Sequence, residues 1–273
     1  LKKLSPGEIN TCYCAGIPLI LKSNLLFIKI KKIKMFSLIR RPSLFELCES
    51  VMHLVYPELC VACNRELPAS DTCFCLPCSL KLIPFQMERP SENAFTDRFW
   101  GRVPVEWGVA AYHFSRKSPV QKALHQLKYR NNPDVGIKMG RHLAMKLKSS
   151  PVTPQFDVII PVPLHQARER LRGYNQSAMF ARGISEIMDV PVRGDCVKRV
   201  LATATQTRKK RMERFSNVSE VFAVLKPDVL KYKSVLLVDD VLTTGATLEL
   251  CAAALSQVEG VRIGMATIAI ADK

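Results

Sequence analysis

Thirteen residues, Val235 to Thr247, constrain this chain more than any other stretch. Four apolar residues, Val235-Leu236-Leu237-Val238, stop at two carboxylates, Asp239 and Asp240. Val241-Leu242 and a hydroxyl-rich loop, Thr243-Thr244-Gly245-Ala246-Thr247, follow. Leu248-Glu249-Leu250-Cys251-Ala252-Ala253-Ala254-Leu255 is then a strong helix former. The pattern reads as buried parallel strand, loop and helix. In open α/β sheets ligands bind beyond the carboxyl ends of the strands. A loop entering a helix also offers unpaired backbone N–H groups and the positive end of a dipole to an anion.

The text around this stretch predicts the rest of an α/β sheet. Residues 107–114 read as a strand, 120–129 and 134–147 as helices, 156–160 as a short buried strand and 177–188 as a helix. Strands are expected near 196–201 and 221–224, and a last strand at 262–270. Strands alternating with helices give a doubly wound, mostly parallel sheet. Residues 166–176 are basic and broken by Gly173, which predicts a mobile loop. Upstream, Ser43 and Glu46 form a capping box for a helix over 43–56, ended by Pro57. Residues 84–104 read as a linker interrupted by Pro84, Pro90 and Pro104, with Phe99 and Trp100 expected to dock a small module onto a large one.

Charge and cysteine spacing narrow the function classes. The net charge of +16 favours anionic partners. Residues 1–34 hold a net +6 of it in lysine- and isoleucine-rich text, and the first methionine is Met35. This segment reads as a non-native or disordered extension; the competing reading is a basic arm. Five of the ten cysteines, Cys60, Cys63, Cys73, Cys75 and Cys78, fall within nineteen positions. Two C-x-x-C pairs, Cys60/Cys63 and Cys75/Cys78, suit a closed tetrahedral zinc site that staples a module spanning 35–83, with Cys73 an alternative ligand. Such clustering belongs to a reducing compartment, so a cytoplasmic protein is expected. The longest apolar run, 17–30, is broken by Lys22 and Lys29 and is too short to span a bilayer.

No Walker or dinucleotide glycine fingerprint is present. The residue types after Val238 fit a sugar phosphate instead. The Thr243, Thr244 and Thr247 hydroxyls and the N–H groups of Gly245 and Ala246 can ring one phosphate. Asp239 and Asp240 would repel that phosphate and suit ribose hydroxyls.

The string Val238 to Thr247 resembles the phosphoribosyl pyrophosphate (PRPP) motif of type I phosphoribosyltransferases. Together with the four-cysteine module, Pro161-Val162-Pro163-Leu164 and Arg172-Gly173-Tyr174-Asn175-Gln176, the chain resembles the ComF family over about residues 45–270. The resemblance implies a phosphoribosyltransferase-like domain at 105–273. It implies that Asp239 and Asp240 bind the ribose hydroxyls and that residues 243–247 hold the 5′-phosphate, with Val241 and Leu242 in the same motif. Pro161, Val162 and Pro163 would occupy the pyrophosphate loop, and Arg168, Arg170 and Arg172 would sit near the diphosphate. Magnesium would accompany PRPP, and pyrophosphate would be displaced from ribose C1 by an acceptor that the sequence does not name.

The family's link to competence and DNA uptake raises a competing expectation. The chain would then be a non-catalytic, PRPP-responsive regulator or a single-stranded DNA-binding protein, working with proteins of the uptake machinery. The zinc module and the basic stretch from Arg208 to Arg214, within residues 203–217, would meet phosphates, and Trp100 or Tyr174 would stack on bases. The plain alternative for that basic run is a solvated helix face.

Overall fold

The apolar run of the central stretch is a buried sheet strand. In the computed structural model Val235, Leu236, Leu237 and Val238 are fully buried, and the strand β7 (Ser234–Leu242) continues through both carboxylates. The structure describes residues 11–14, 17–20, 57–67, 72–152, 154–200 and 221–271. The helix expected over 43–56 and the basic run 203–217 lie outside them, as does most of residues 1–34. Of residues 1–51, a separate compact unit, the described backbone is two short antiparallel strands, β1 (Thr11–Cys14) and β2 (Ile17–Ile20).

The second unit, Met52–Lys273, is built on four strands: β3 (Trp107–Phe114), β4 (Val158–Pro161), β7 and β8 (Arg262–Ala271). Their order is β3-β8-β7-β4, and every pairing is parallel. The doubly wound parallel fold expected from the alternating text is therefore the fold observed. A two-stranded antiparallel ribbon, β5 (Val197–Arg199) and β6 (Phe222–Val224), stands apart from the sheet.

Strand periodicity divides the core in two. Leu236 and Val238 of β7 pack in the layer that contains helices α2 (Pro119–Tyr129), α3 (Asp134–Ser149) and α5 (Gln176–Met188). The same layer receives the cysteine module with its one-turn helix α1 (Leu76–Ser79). Val235 and Leu237 face the other layer, with the ribbon, the short helix α6 (Pro227–Leu230) and helix α7 (Ala246–Leu255).

Two sequence expectations change. Residues 166–172 form a helix, α4 (Gln166–Arg172), where a mobile loop was expected. His165 Nδ1 accepts from the Ala167 N–H at 3.2 Å, and Gly173 closes the helix at φ 80° in the left-handed region. The glycine that reads as a break is thus the C-terminal cap, and the residues before it are good helix formers. The segment 84–104 lies in and against the core. Phe85, Phe95 and Phe99 are buried while Trp100 is 90% exposed. The Asn93 amide donates to Gly108 O at 3.0 Å, the Gly108 N–H to Pro90 O at 2.8 Å, and the Phe85 N–H to Ala111 O at 3.3 Å. Those bonds cover the outer edge of β3, which would otherwise present unpaired backbone groups.

Helices α3 and α5 meet through Gly140 and Gly183. A methyl group on Gly183 would land on the Ile137 carbonyl, and one on Gly140 on the Phe180 carbonyl. Alanine normally improves a helix interior by ~1 kcal/mol over glycine. At this crossing overpacking wins. Gly183→Ala is expected to destabilise the protein by roughly 2 kcal/mol or more, read from the shift in urea unfolding midpoint.

Candidate functional site

The two carboxylates, on adjacent residues of β7, find different partners. Asp240 Oδ2 lies 2.8 Å from Lys128 Nζ in the last turn of α2. Asp239 Oδ1 accepts from Ser177 Oγ, in the first turn of α5, at 2.8 Å, and from the Asp240 backbone N–H at 2.8 Å. Burial, and then the adjacent Asp240 charge, push Asp239 up to about 7. The N–H of Asp240, the Ser177 hydroxyl and Lys128 act in the opposite direction. Arg199 of β5 and Cys251 of α7 also lie within the field of Asp239.

The loop after β7 is held from below. Leu242 is buried, whereas Thr243 and Thr244 are exposed. Gly245 stands at φ 83°, in the left-handed region where a side chain is strained, and a Cβ there would lie 3.0 Å from the Phe99 ring. The Arg98 guanidinium, in a 3-10 turn at Thr96–Arg98, donates to the carbonyls of Thr243 and Ala271. The loop is thereby tied to the end of β8. Thr244 Oγ1 accepts from the Ala246 N–H at 3.4 Å, and no side chain caps α7 at Gly245. The arrangement leaves polar hydrogens at a helix start beside hydroxyls, which suits an anion.

The β4 end forms the neighbouring wall. Pro161 and Val162 are buried. The Val162 N–H donates to Val238 O at 2.9 Å, and Val162 O accepts from the Asn175 side chain at 3.0 Å. Pro161–Pro163 thus runs between β7 and the start of α5. Arg172 is directed to other partners: its guanidinium donates to Gln176 Oε1 at 2.8 Å and lies 5.6 Å from the Tyr129 ring centre.

The site therefore contains residues that the motif did not reveal: Lys128, Ser177, Arg98 and Phe99. Ser177 follows the Arg172–Gln176 string directly, and Lys128 stands in a strongly basic chain where one lysine has nothing to distinguish it. Only the packing of α2, α5 and the 84–104 segment brings them to β7.

The cysteines make a second cluster. The Sγ atoms of Cys60, Cys63, Cys75 and Cys78 all lie within 4.8 Å of one another. Zinc–thiolate bonds of ~2.3 Å give a tetrahedron with edges of about 3.8 Å, so the four thiols are compatible with a closed metal site. Burial pushes the Cys60 thiol up, but the N–H groups of Cys75, Ala62 and Cys63 outweigh it and bring it down to about 6. Cys73 is elsewhere, buried with its Sγ 3.6 Å from Met139 Sδ. The cluster is docked on α2: Lys122 Nζ donates to Ala62 O at 2.7 Å and Gln126 Nε2 to Val61 O at 2.9 Å.

The raised Asp239 has a stability consequence. An unfolded aspartate titrates near 3.9, so the folded chain binds the extra proton between about pH 4 and 7. Stability contributed by this group is present below pH 4 and falls as pH rises through about 7. Asp239→Asn should flatten that slope and leave the variant more stable than the parent at pH 8, by on the order of 2–4 kcal/mol. Urea unfolding at pH 5 and pH 8 measures both, and an unchanged slope would rule the assignment out.

Residues 174–273 match the phosphoribosyl transferase domain. Competence protein F of Haemophilus influenzae is 27% identical over 205 residues, which cover 74% of this chain and 85% of that protein. DNA utilization protein YhgH of Escherichia coli is 26% identical over 209 residues, covering 76% of this chain and 87% of that protein. Competence protein ComFC of Bacillus subtilis is 35% identical over a shorter span of 95 residues, 35% of this chain and 36% of that protein. The four-cysteine cluster, the parallel sheet with its acidic strand end, and these relatives together support the resemblance to the ComF family, with a phosphoribosyltransferase-like domain.

Proposed function

We propose that this chain binds PRPP at the end of β7 and transfers its phosphoribosyl group to an acceptor. The observation that carries the reading is the pairing of two carboxylates with an exposed Thr243-Thr244 loop at an uncapped helix start. Asp239 and Asp240 accept hydrogen bonds from the ribose 2′- and 3′-hydroxyls. Val241 and Leu242 set the loop, and Thr243, Thr244, Gly245, Ala246 and Thr247 surround the 5′-phosphate. Pro161, Val162 and Pro163 form the wall beside the diphosphate, with Arg172 near it.

A bond forms from an acceptor nitrogen to ribose C1 as the C1–O bond to the diphosphate breaks. The diphosphate leaves with the electron pair, and the acceptor's proton passes to solvent or to the leaving group. Carboxylate oxygens suit a hard cation, and magnesium bound with PRPP would supply neutralisation of leaving-group charge. The protein's own part is positioning and electrostatics. Zinc at Cys60, Cys63, Cys75 and Cys78 is structural in this reading, since four thiolates leave no open position.

Among the described residues no helix is long and apolar enough to cross a membrane. A second reading follows from the 90% exposed Trp100 and the net charge of +16: single-stranded DNA binding through stacking and phosphate contacts, in a role connected with DNA uptake. Its signature is affinity that falls steeply with salt.

Titration calorimetry with PRPP and magnesium tests the first reading. Asp239→Asn/Asp240→Asn should weaken PRPP binding by at least about 100-fold, at roughly 1–3 kcal/mol per lost charged hydrogen bond. Release of pyrophosphate with a panel of nitrogenous acceptors separates turnover from binding alone. For the cysteine cluster, metal analysis should give about one zinc per chain, and Cys78→Ser should lower both zinc content and melting temperature. A chain with no zinc, or one unaffected by a strong chelator, would count against that assignment.

A further inference from the structure

We propose that Lys128 is a ligand-binding residue of this site. Its ammonium neutralises Asp240 in the free protein and passes to the diphosphate of PRPP when the ribose hydroxyls take over that carboxylate. The inference rests on the PRPP reading and goes beyond it.

The argument starts from charge. The Lys128 and Asp240 side chains are 26% and 17% exposed and lie 2.8 Å apart. A pair so far out of water is costly to break without replacement partners. Ribose hydroxyls supply donors to the carboxylate but no charge. Once they bind, the ammonium needs a new anion close by, and the ligand brings one on the carbon next to its 2′-hydroxyl. The exchange therefore links the two halves of the ligand: hydroxyls release the lysine, and the lysine holds the diphosphate.

The backbone at Lys128 is positioned for such an exchange. Gln126, two residues earlier, is bonded to the Val61 carbonyl of the cysteine module. The Leu127 carbonyl accepts from Tyr174 Oη at 2.6 Å, and the Tyr129 ring faces Arg172. Neighbours on both sides hold the chain, while the four-carbon stem of a lysine lets its point charge move between oxygens. Tyr174 and Arg172 also bring the candidate diphosphate region to the same end of α2.

Calorimetry with PRPP, ribose 5-phosphate and pyrophosphate, at one fixed magnesium concentration, tests this on the full chain. Lys128→Gln should weaken PRPP and pyrophosphate at least about 10-fold while ribose 5-phosphate changes by less than about 3-fold. Lys128→Arg should keep most of the PRPP affinity. Asp240→Asn should do the converse of Lys128→Gln, weakening ribose 5-phosphate while pyrophosphate binds as well or better, because the ammonium is released. That variant keeps the test open if Lys128→Gln does not fold. Equal loss of all three ligands in Lys128→Gln, or none, overturns the inference while leaving the PRPP reading standing. So does loss of pyrophosphate binding in Asp240→Asn. A parent protein that binds none of the three removes the PRPP reading, and the inference with it.

Discussion

Two carboxylates on adjacent residues at the end of a buried strand are the constraint around which this structure is arranged. Each is costly to bury without compensation, and together they repel. The compensation comes from two different helices of the same layer. Asp240 is met by Lys128 from α2, and Asp239 by Ser177 at the start of α5 and by the next backbone N–H. Burial still leaves Asp239 well above the ordinary aspartate range. An arrangement that holds two acids under tension between pairing and repulsion is suited to a ligand that brings hydroxyl donors.

The cysteine module reaches the same site through helix α2. Val61 and Ala62, inside the first C-x-x-C knuckle, accept bonds from Gln126 and Lys122 of α2. Lys138 of α3 pairs with Glu58 at 2.6 Å beside them. The same helix α2 carries Lys128 to Asp240. The module thus braces the helix that delivers the counter-ion. On the other face Phe99 and Arg98 support the loop from beneath, Phe99 against Gly245 and Arg98 at the Thr243 carbonyl.

Much of the sheet was legible because its signals are local. A run such as Val235–Val238 is readable as a buried strand from apolar continuity alone, and the periodicity at 120–129 and 177–188 marks helices within a residue or two of those observed. The loop expected at 166–176 is a helix because Gly173 can either break or cap a helix, and only the conformation of the chain decides between them. The segment 84–104 reads as a linker because its prolines hide any period. Its fixed geometry comes from long-range bonds to β3 and from three phenylalanines in the core.

The sequence by itself determined the order of strands and helices, the acidic strand end with its Thr-Thr-Gly loop, and the two C-x-x-C pairs. Each is written in neighbouring residues whose chemistry and spacing are enough. Tertiary structure alone decided that Cys75, rather than Cys73, joins Cys60, Cys63 and Cys78. It also decided that Lys128 among the chain's many cations faces Asp240. Both depend on contacts between residues far apart in the chain. A single thiol or ammonium carries no local mark of the partner that packing will bring to it.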